Sequence, residues 1–115
     1  MTALNKLDKE FLHKFIDYVY AHMNNGTVSV ESVAADLCMT PKQLRSKTVA
    51  ITGENPSVYI QKIRLEKAQR MLQVEPNMSI GEIALKCGFE DFAYFSRVFK
   101  KKYGVMPSQY RRLPS

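Results

Sequence analysis

One stretch of this chain occurs twice, and that repeat constrains the fold more than any other feature. Shifted by fifty positions, Ser29 falls on Ser79, Val30 on Ile80, Val33 on Ile83, Ala34 on Ala84, Leu37 on Cys87, Cys38 on Gly88 and Met39 on Phe89. One residue then enters the second copy and the offset becomes fifty-one, so that Leu44 meets Phe95, Thr48 meets Phe99 and Gly53 meets Gly104. A repeat this short is a supersecondary unit. Each copy reads as a short helix, a tight turn and a longer helix of about three turns. The matched apolar positions fall where two crossed helices touch, and the small Ala34 and Ala84 suit a close crossing. That is the helix-turn-helix pattern, whose second helix enters the major groove of DNA while the first crosses the backbone. Two ordinary hairpins in a helical bundle would share these elements. Two matched copies joined by a long helix favour the DNA reading.

The rest of the chain is also helical in period. Phe11, Leu12, Phe15, Ile16 and Val19 make an amphipathic helix over about 8–23, stopped by Asn24-Asn25-Gly26. A short helix follows over 30–37. Thr40-Pro41-Lys42-Gln43 combines a cap, a proline at the first helical position and a capping-box glutamine, and opens a helix to Thr52. Asn55-Pro56 starts a long helix over 56–72, and Glu75-Pro76-Asn77 breaks it. Ser79-Ile80-Gly81-Glu82 is a second capping box, opening a helix to Cys87; Asp91 caps a helix to Tyr103, and Pro107 admits a last one through about Arg111. No strand-like alternation of useful length occurs, so the class is all-α. The expected organisation is one domain over 1–115: 8–53 with the first unit, 56–72 as linker, 79–112 with the second unit and final helix.

Charge points the same way. The formal net charge is +6, which suits a polyanionic partner. Residues 1–36 are slightly acidic, whereas from Phe92 onward Arg97, Lys100, Lys101, Lys102, Arg111 and Arg112 stand with no acid among them. No apolar run approaches the roughly 18–20 residues of a membrane span, and the N-terminus lacks the apolar core of a signal peptide. A cytoplasmic location without membrane contact is expected.

Helical geometry sorts the two second helices. In the later one Phe95, Val98 and Phe99 share the inward face, and Ala93, Arg97 and Lys100 the outward one, flanked by Ser96 and Lys101. Arg97 is placed for base edges, where arginine pairs bidentately with guanine, and Lys100 to Lys102 for phosphates. In the earlier one Leu44, Thr48 and Ile51 face inward, leaving Lys42, Arg45, Ser46 and Val49 outward.

The run Pro56-Ser57-Val58-Tyr59-Ile60-Gln61-Lys62-Ile63-Arg64-Leu65-Glu66-Lys67-Ala68 resembles the linker helix of the AraC/XylS family of bacterial transcription activators. The later runs Ser79 to Ala84, Gly88-Phe89, Tyr94 to Lys101, Tyr103-Gly104 and Pro107 to Arg111 resemble the family's signature, and the likeness covers about 8–112. It implies a seven-helix domain with two helix-turn-helix subdomains that read successive major-groove segments of double-stranded DNA, about 34 Å apart. Carried over position by position, the base-reading residues are Lys42, Arg45 and Ser46 in the first unit and Phe92, Ala93, Ser96 and Arg97 in the second, with Gln43 and Lys47 as phosphate candidates. Phe92 and Ala93 would read by contact with thymine methyls or by shape. The chain departs from the family pattern at Thr48, where a large apolar residue is usual, at Cys38, where the turn usually has glycine, and at Ser46, often arginine. The likeness also implies RNA polymerase as a partner and a sensor or receiver module beyond this segment. The start Asp8-Lys9-Glu10-Phe11-Leu12 is most like the output domains of response regulators and hybrid two-component sensors, with a sugar-sensing arm as the rival.

Enzymatic readings fare worse. His13 and His22 lie nine residues apart on one helix, about 180° around it, and cannot share a metal. No phosphate-binding glycine loop occurs and no cofactor is called for. Some relatives carry a methyl-accepting cysteine for DNA repair, but in a separate cysteine-rich module; Cys38 and Cys87, at the ends of the short helices, read as small buried packing residues. A phosphorylated receiver needs strands that are not here. A protein-interaction bundle would share the helices without requiring outward Arg45 and Arg97.

Overall fold

The computed structural model describes residues 4–114. Among these residues seven α-helices follow in order: α1 (Lys6–His22), α2 (Val30–Asp36), α3 (Pro41–Thr52), α4 (Pro56–Val74), α5 (Ile80–Lys86), α6 (Phe92–Tyr103) and α7 (Pro107–Arg112), with a 3₁₀ turn over Met23–Asn25. The all-α class expected from the periodicity holds. The chain divides into two compact units: residues 1–23 with 27–63, and residues 24–26 with 64–115.

The helix starts are set by side-chain caps that satisfy orphan N–H groups. Asn5 accepts from Asp8 N at 2.8 Å, which starts α1 two residues before the sequence estimate. Thr40 and Gln43 close the expected box: Thr40 Oγ1 accepts from Gln43 N at 3.1 Å and Gln43 Oε1 from Thr40 N at 2.9 Å. At Ser79 only the forward half of the expected box forms, its hydroxyl accepting from Glu82 N at 3.1 Å. A full reciprocal pair forms instead at Ser29 and Ser32. Asp91 caps α6 by accepting from Tyr94 N at 3.1 Å.

The repeat is reproduced bond for bond at the two turns. Met39 N donates to Ala34 O at 2.8 Å, as Phe89 N does to Ala84 O at 2.9 Å; Cys38 N donates to Ala35 O at 3.1 Å, as Gly88 N does to Leu85 O at 3.0 Å. This pair of bonds is the Schellman ending, which demands a left-handed residue just past the helix. Gly88 supplies it at φ +92°, and Cys38 does so at φ +58° as the sole non-glycine residue with positive φ among those described. The matched cysteine thus took a glycine's backbone place. Its side chain is exposed, which corrects the expectation of a buried Cys38; a left-handed turn outside both helices points it to solvent, whereas Cys87, one position earlier in its own turn, is fully buried.

In the first unit the core gathers Phe11, Phe15 and Val19 of α1, Val33 and Ala34 of α2, and Leu44 and Thr48 of α3, with Pro56 and Ile60 of α4. Phe15 packs edge-on against Phe11 at 6.1 Å and Tyr59 at 5.1 Å. Thr48 is fully buried without cost to its hydroxyl, because Oγ1 donates to Leu44 O at 2.7 Å. That bond lets a polar residue stand where the second unit has Phe99.

The second unit carries its aromatic mass on α6 and α7. Phe95 and Phe99 are fully buried, 5.7 Å apart, and Phe99 meets Tyr103 at 4.6 Å and Tyr110 at 5.5 Å. Tyr110 accepts from Gln69 Nε2 of α4 at 2.6 Å. Arg111 clamps the end of α4: Nε donates to Leu72 O at 3.4 Å, and Nη2 to Glu75 O at 3.1 Å and Met78 O at 2.7 Å. Leu72 O, which has no helical donor because Pro76 lacks an N–H, thereby gains one, and Glu75 O, which already accepts from Met78 N at 3.2 Å, gains a second. Cys87 lies with Sγ 3.8 Å from Met71 Sδ.

These contacts give four expectations for stability. Cys38→Gly relieves a left-handed strain of about 1–2 kcal/mol at an entropic cost of about 0.5–1 kcal/mol, so denaturation should show a net gain near 0.5–1 kcal/mol. Gly88→Ala should show a loss of about 1 kcal/mol or more. Arg111→Ala should lower unfolding free energy by about 1.5–3 kcal/mol, with Arg111→Lys a partial substitute at best, since one ammonium does not replace the fork. Burial lifts the Cys87 thiol to about 11, against a smaller opposing effect of Lys67. Burial, then Glu66 and Tyr110, lift the Tyr103 phenol to about 12. Both groups are neutral when protonated, so the fold retains protons that the unfolded chain releases from ordinary values of 9.0 and 10.0. Their stabilisation is full below about pH 9 and is lost as pH rises toward 11 and 12. Melting temperature should be flat from about pH 7 to 9 and fall above, less steeply in Cys87→Ala and Tyr103→Phe. Alkylation near pH 8 should label Cys38 and spare Cys87.

Candidate nucleic-acid interface

Each unit shows the outer face of its second helix to solvent. On α3 the cap fixes the first turn, and Lys42, Gln43, Arg45 and Ser46 are all exposed, with Val49 beyond them at 44%. Gln43 is already oriented, because its amide oxygen is held by Thr40 N, which leaves its exposed NH₂ as a donor. Lys47 is placed differently from its sequence assignment. It is half-buried, and its ammonium lies 5.2 Å from the Phe11 ring of α1, a cation–π contact that turns the charge back toward the unit's own surface.

On α6 the inward stripe is Phe95, Ser96 and Phe99, and the exposed residues are Phe92, Ala93, Tyr94, Arg97 and Lys100 to Lys102. Ser96 is a correction to the sequence reading: at 7% exposed, its side chain belongs to the packed side of the helix and not to the outward flank. The helical wheel places it about 40° past Phe92 and about 40° short of Lys100, at the border of the two faces, and the burial of Phe99 and Phe95 draws that border inward. Phe92, by contrast, is 52% exposed at the mouth of the helix, an apolar surface suited to a thymine methyl. Its inner edge meets Phe95 at 6.4 Å.

The cations of α6 divide by position. Lys100, Lys101 and Lys102 occupy the last turn, where positive charge also offsets the helix dipole; Lys102 lies 5.6 Å from the Tyr103 ring. Arg97 stands one turn earlier, exposed, with Cζ 5.7 Å from the Tyr94 ring centre. Tyr94 did not enter the sequence-based set, although its place three residues before Arg97 was the available signal. Arg111 leaves the basic flank altogether, since its guanidinium is occupied by the carbonyls at the end of α4. Each unit therefore exposes the first two turns of its second helix over a helix-turn-helix frame, polar and cationic on α3 and, on α6, aromatic with the single cation Arg97.

A family model described as a helix-turn-helix domain matches residues 33–113. The chain is 37% identical over 103 residues to the transcriptional regulatory protein YesN of Bacillus subtilis strain 168, covering 88% of this chain and 28% of that protein. It therefore spans little more than a quarter of that relative's length. Among solved structures, the C-terminal domain of AraT, a response regulator from Geobacillus stearothermophilus, is 32% identical with a TM-score of 0.78, over 99% of this chain and 92% of that one. The DNA-binding domain of AdpA, a global transcriptional factor solved with a target DNA, is 26% identical with a TM-score of 0.77, over 87% and 88%. With two matched helix-turn-helix units, their exposed cationic second helices and these relatives together, the chain belongs to the AraC/XylS family of DNA-binding domains.

Proposed function

We propose that this chain binds double-stranded DNA sequence-specifically through α3 and α6, each entering a major-groove segment, as the DNA-reading output module of a longer transcription activator. The observation that carries the reading is the exposure of Arg45 and Arg97 on the outer faces of the two second helices, each preceded by the same Schellman turn. Base reading falls to Lys42, Arg45 and Ser46 on α3 and to Phe92, Ala93 and Arg97 on α6, with Gln43, Lys100 and Lys101 on phosphates. Ser96 and Lys47 act from within the fold, through packing and the Phe11 contact.

YesN is named as a transcriptional regulatory protein and AraT as a response regulator, which supports a receiver or sensor module beyond this segment and RNA polymerase as a further partner. The chain acts as a binding module and not as an enzyme, with no cofactor. No helix among the described residues is long and apolar enough to cross a membrane, and the proposed site of action is the cytoplasm. Selection from random DNA should return two short preferred blocks about one helical turn apart; a single block would mean that one unit alone reads bases. Arg97→Ala and Arg45→Ala should each weaken specific binding by about 1–3 kcal/mol and relax one base position. Lys100→Ala should weaken all sequences alike and lower the salt slope by about 1. Unchanged affinity in both arginine variants would sink the assignment.

A further inference from the structure

We propose that Tyr94 is a positioning residue for base reading, its ring holding the Arg97 guanidinium in the orientation in which α6 presents it to a guanine. The inference rests on the reading of α6 as a major-groove helix. Residues three apart are neighbours on a helix surface, and helical side chains lean toward the N-terminus, so Arg97 lies back over Tyr94. The observed 5.7 Å from Cζ to the ring centre is within cation–π range.

The ring is itself well placed to act as a platform. Its backbone is pinned by the N-cap, Tyr94 N donating to Asp91 Oδ1 at 3.1 Å. Its inner side meets the buried Phe89 ring at 6.5 Å. Yet Tyr94 remains 40% exposed, unlike Phe95 and Phe99, which are fully buried. It is therefore at the surface beside Arg97 and anchored from below.

The kind of contact matters for what Arg97 can still do. Among the described residues Arg97 makes no ion pair. A carboxylate would occupy the N–H donors, whereas a ring attracts the charge and leaves the donors for the N7 and O6 of guanine. Holding a rotamer-rich side chain before binding also reduces the freedom lost on binding. The arginine of α3, one position earlier in the repeat than Arg97, has no ring at that spacing: three residues before Arg45 stands Lys42.

The test is selection from random DNA, with melting curves and salt titrations, for Tyr94→Leu, Tyr94→Met, Tyr94→Phe, Arg97→Ala and the Tyr94→Leu/Arg97→Ala pair. Arg97→Ala should flatten one base pair. Tyr94→Leu should lower preference at that same base pair by about two- to five-fold, leaving other positions and the salt slope as they were. Tyr94→Met gives the same readout should the leucine variant melt early. Tyr94→Phe keeps the ring and should restore the preference, and Tyr94→Leu should add nothing once Arg97 is gone. The proposal is overturned by an even loss across positions, by a sharper preference without the ring, by Tyr94→Phe behaving as Tyr94→Leu at equal melting temperature, or by an effect that persists without Arg97. If Arg97→Ala flattens no position, it is the base-reading role of Arg97 that fails, a result separate from Tyr94 failing to influence an Arg97-dependent preference.

Discussion

Each unit depends on one backbone arrangement, the Schellman turn after its short helix. The bonds from Met39 N to Ala34 O and from Phe89 N to Ala84 O reverse the chain within a few residues. The same two alanines, each 1% exposed, sit at the crossing between short and long helix. Turn and crossing therefore share a residue, and a change in either moves the other. Once the crossing is set, the rotation of α3 and α6 about their own axes follows from which side chains it buries: Leu44 and Thr48 in one, Phe95, Ser96 and Phe99 in the other. The outward residues are then fixed by 100° steps, with no freedom left for function to choose them separately. Recognition is in this sense a consequence of packing on the opposite face.

That dependence also decides how the positive charge is used. Of the cations that make the chain basic, several are occupied within the fold: Lys47 over Phe11, Lys62 with Glu54 at 3.6 Å, Lys102 beside Tyr103, and Arg111 on three carbonyls. The exposed pair of Lys62 and Glu54 contributes little to stability. Arg111 differs, because it serves Leu72 O, whose helical donor is missing at Pro76, and such an acceptor is costly to leave unmet. These side chains keep their charge, so the long-range field is still that of the full net charge; what the contacts restrict is where each head group can reach. On the second helices the exposed cations are Lys42, Arg45, Arg97, Lys100, Lys101 and Lys102.

The legible part of this architecture was whatever depends on local sequence. Caps at Thr40 and Asp91, the stops at Gly53 and Gly104, and the crossing alanines are written in single residues and their near neighbours, and the helices fall where those signals put them. What was not legible depends on contacts distant in sequence. Arg111 reaches carbonyls more than thirty residues away, and Lys47 finds Phe11 on another helix, so a charge pattern could not reveal either. Ser96 failed for a subtler reason. A helical wheel assigns faces by angle alone, and its borderline position is settled by how deeply the neighbouring Phe95 and Phe99 sink. Cys38 misled because cysteine is usually buried, whereas here the backbone angle governs, and the residue occupies a turn that glycine fills in the other copy.

The two units are built alike yet are not equivalent as readers. The first carries a strained turn at Cys38 and a small, self-bonded Thr48 in its core, and its Arg45 follows Lys42, a like charge one turn back. Like charges at that spacing repel, so Lys42 gives Arg45 no support. The second has glycine in its turn, four aromatic rings in contact across α6 and α7, and an Arg97 that rests on Tyr94. Rigidity in the supporting shell lets a hydrogen-bond pair discriminate between bases, since a mobile arginine can follow either guanine or a phosphate. On the proposed reading the unequal cores therefore predict unequal roles, with α6 supplying the sharper base preference and α3 more of the adaptable, charge-driven contact.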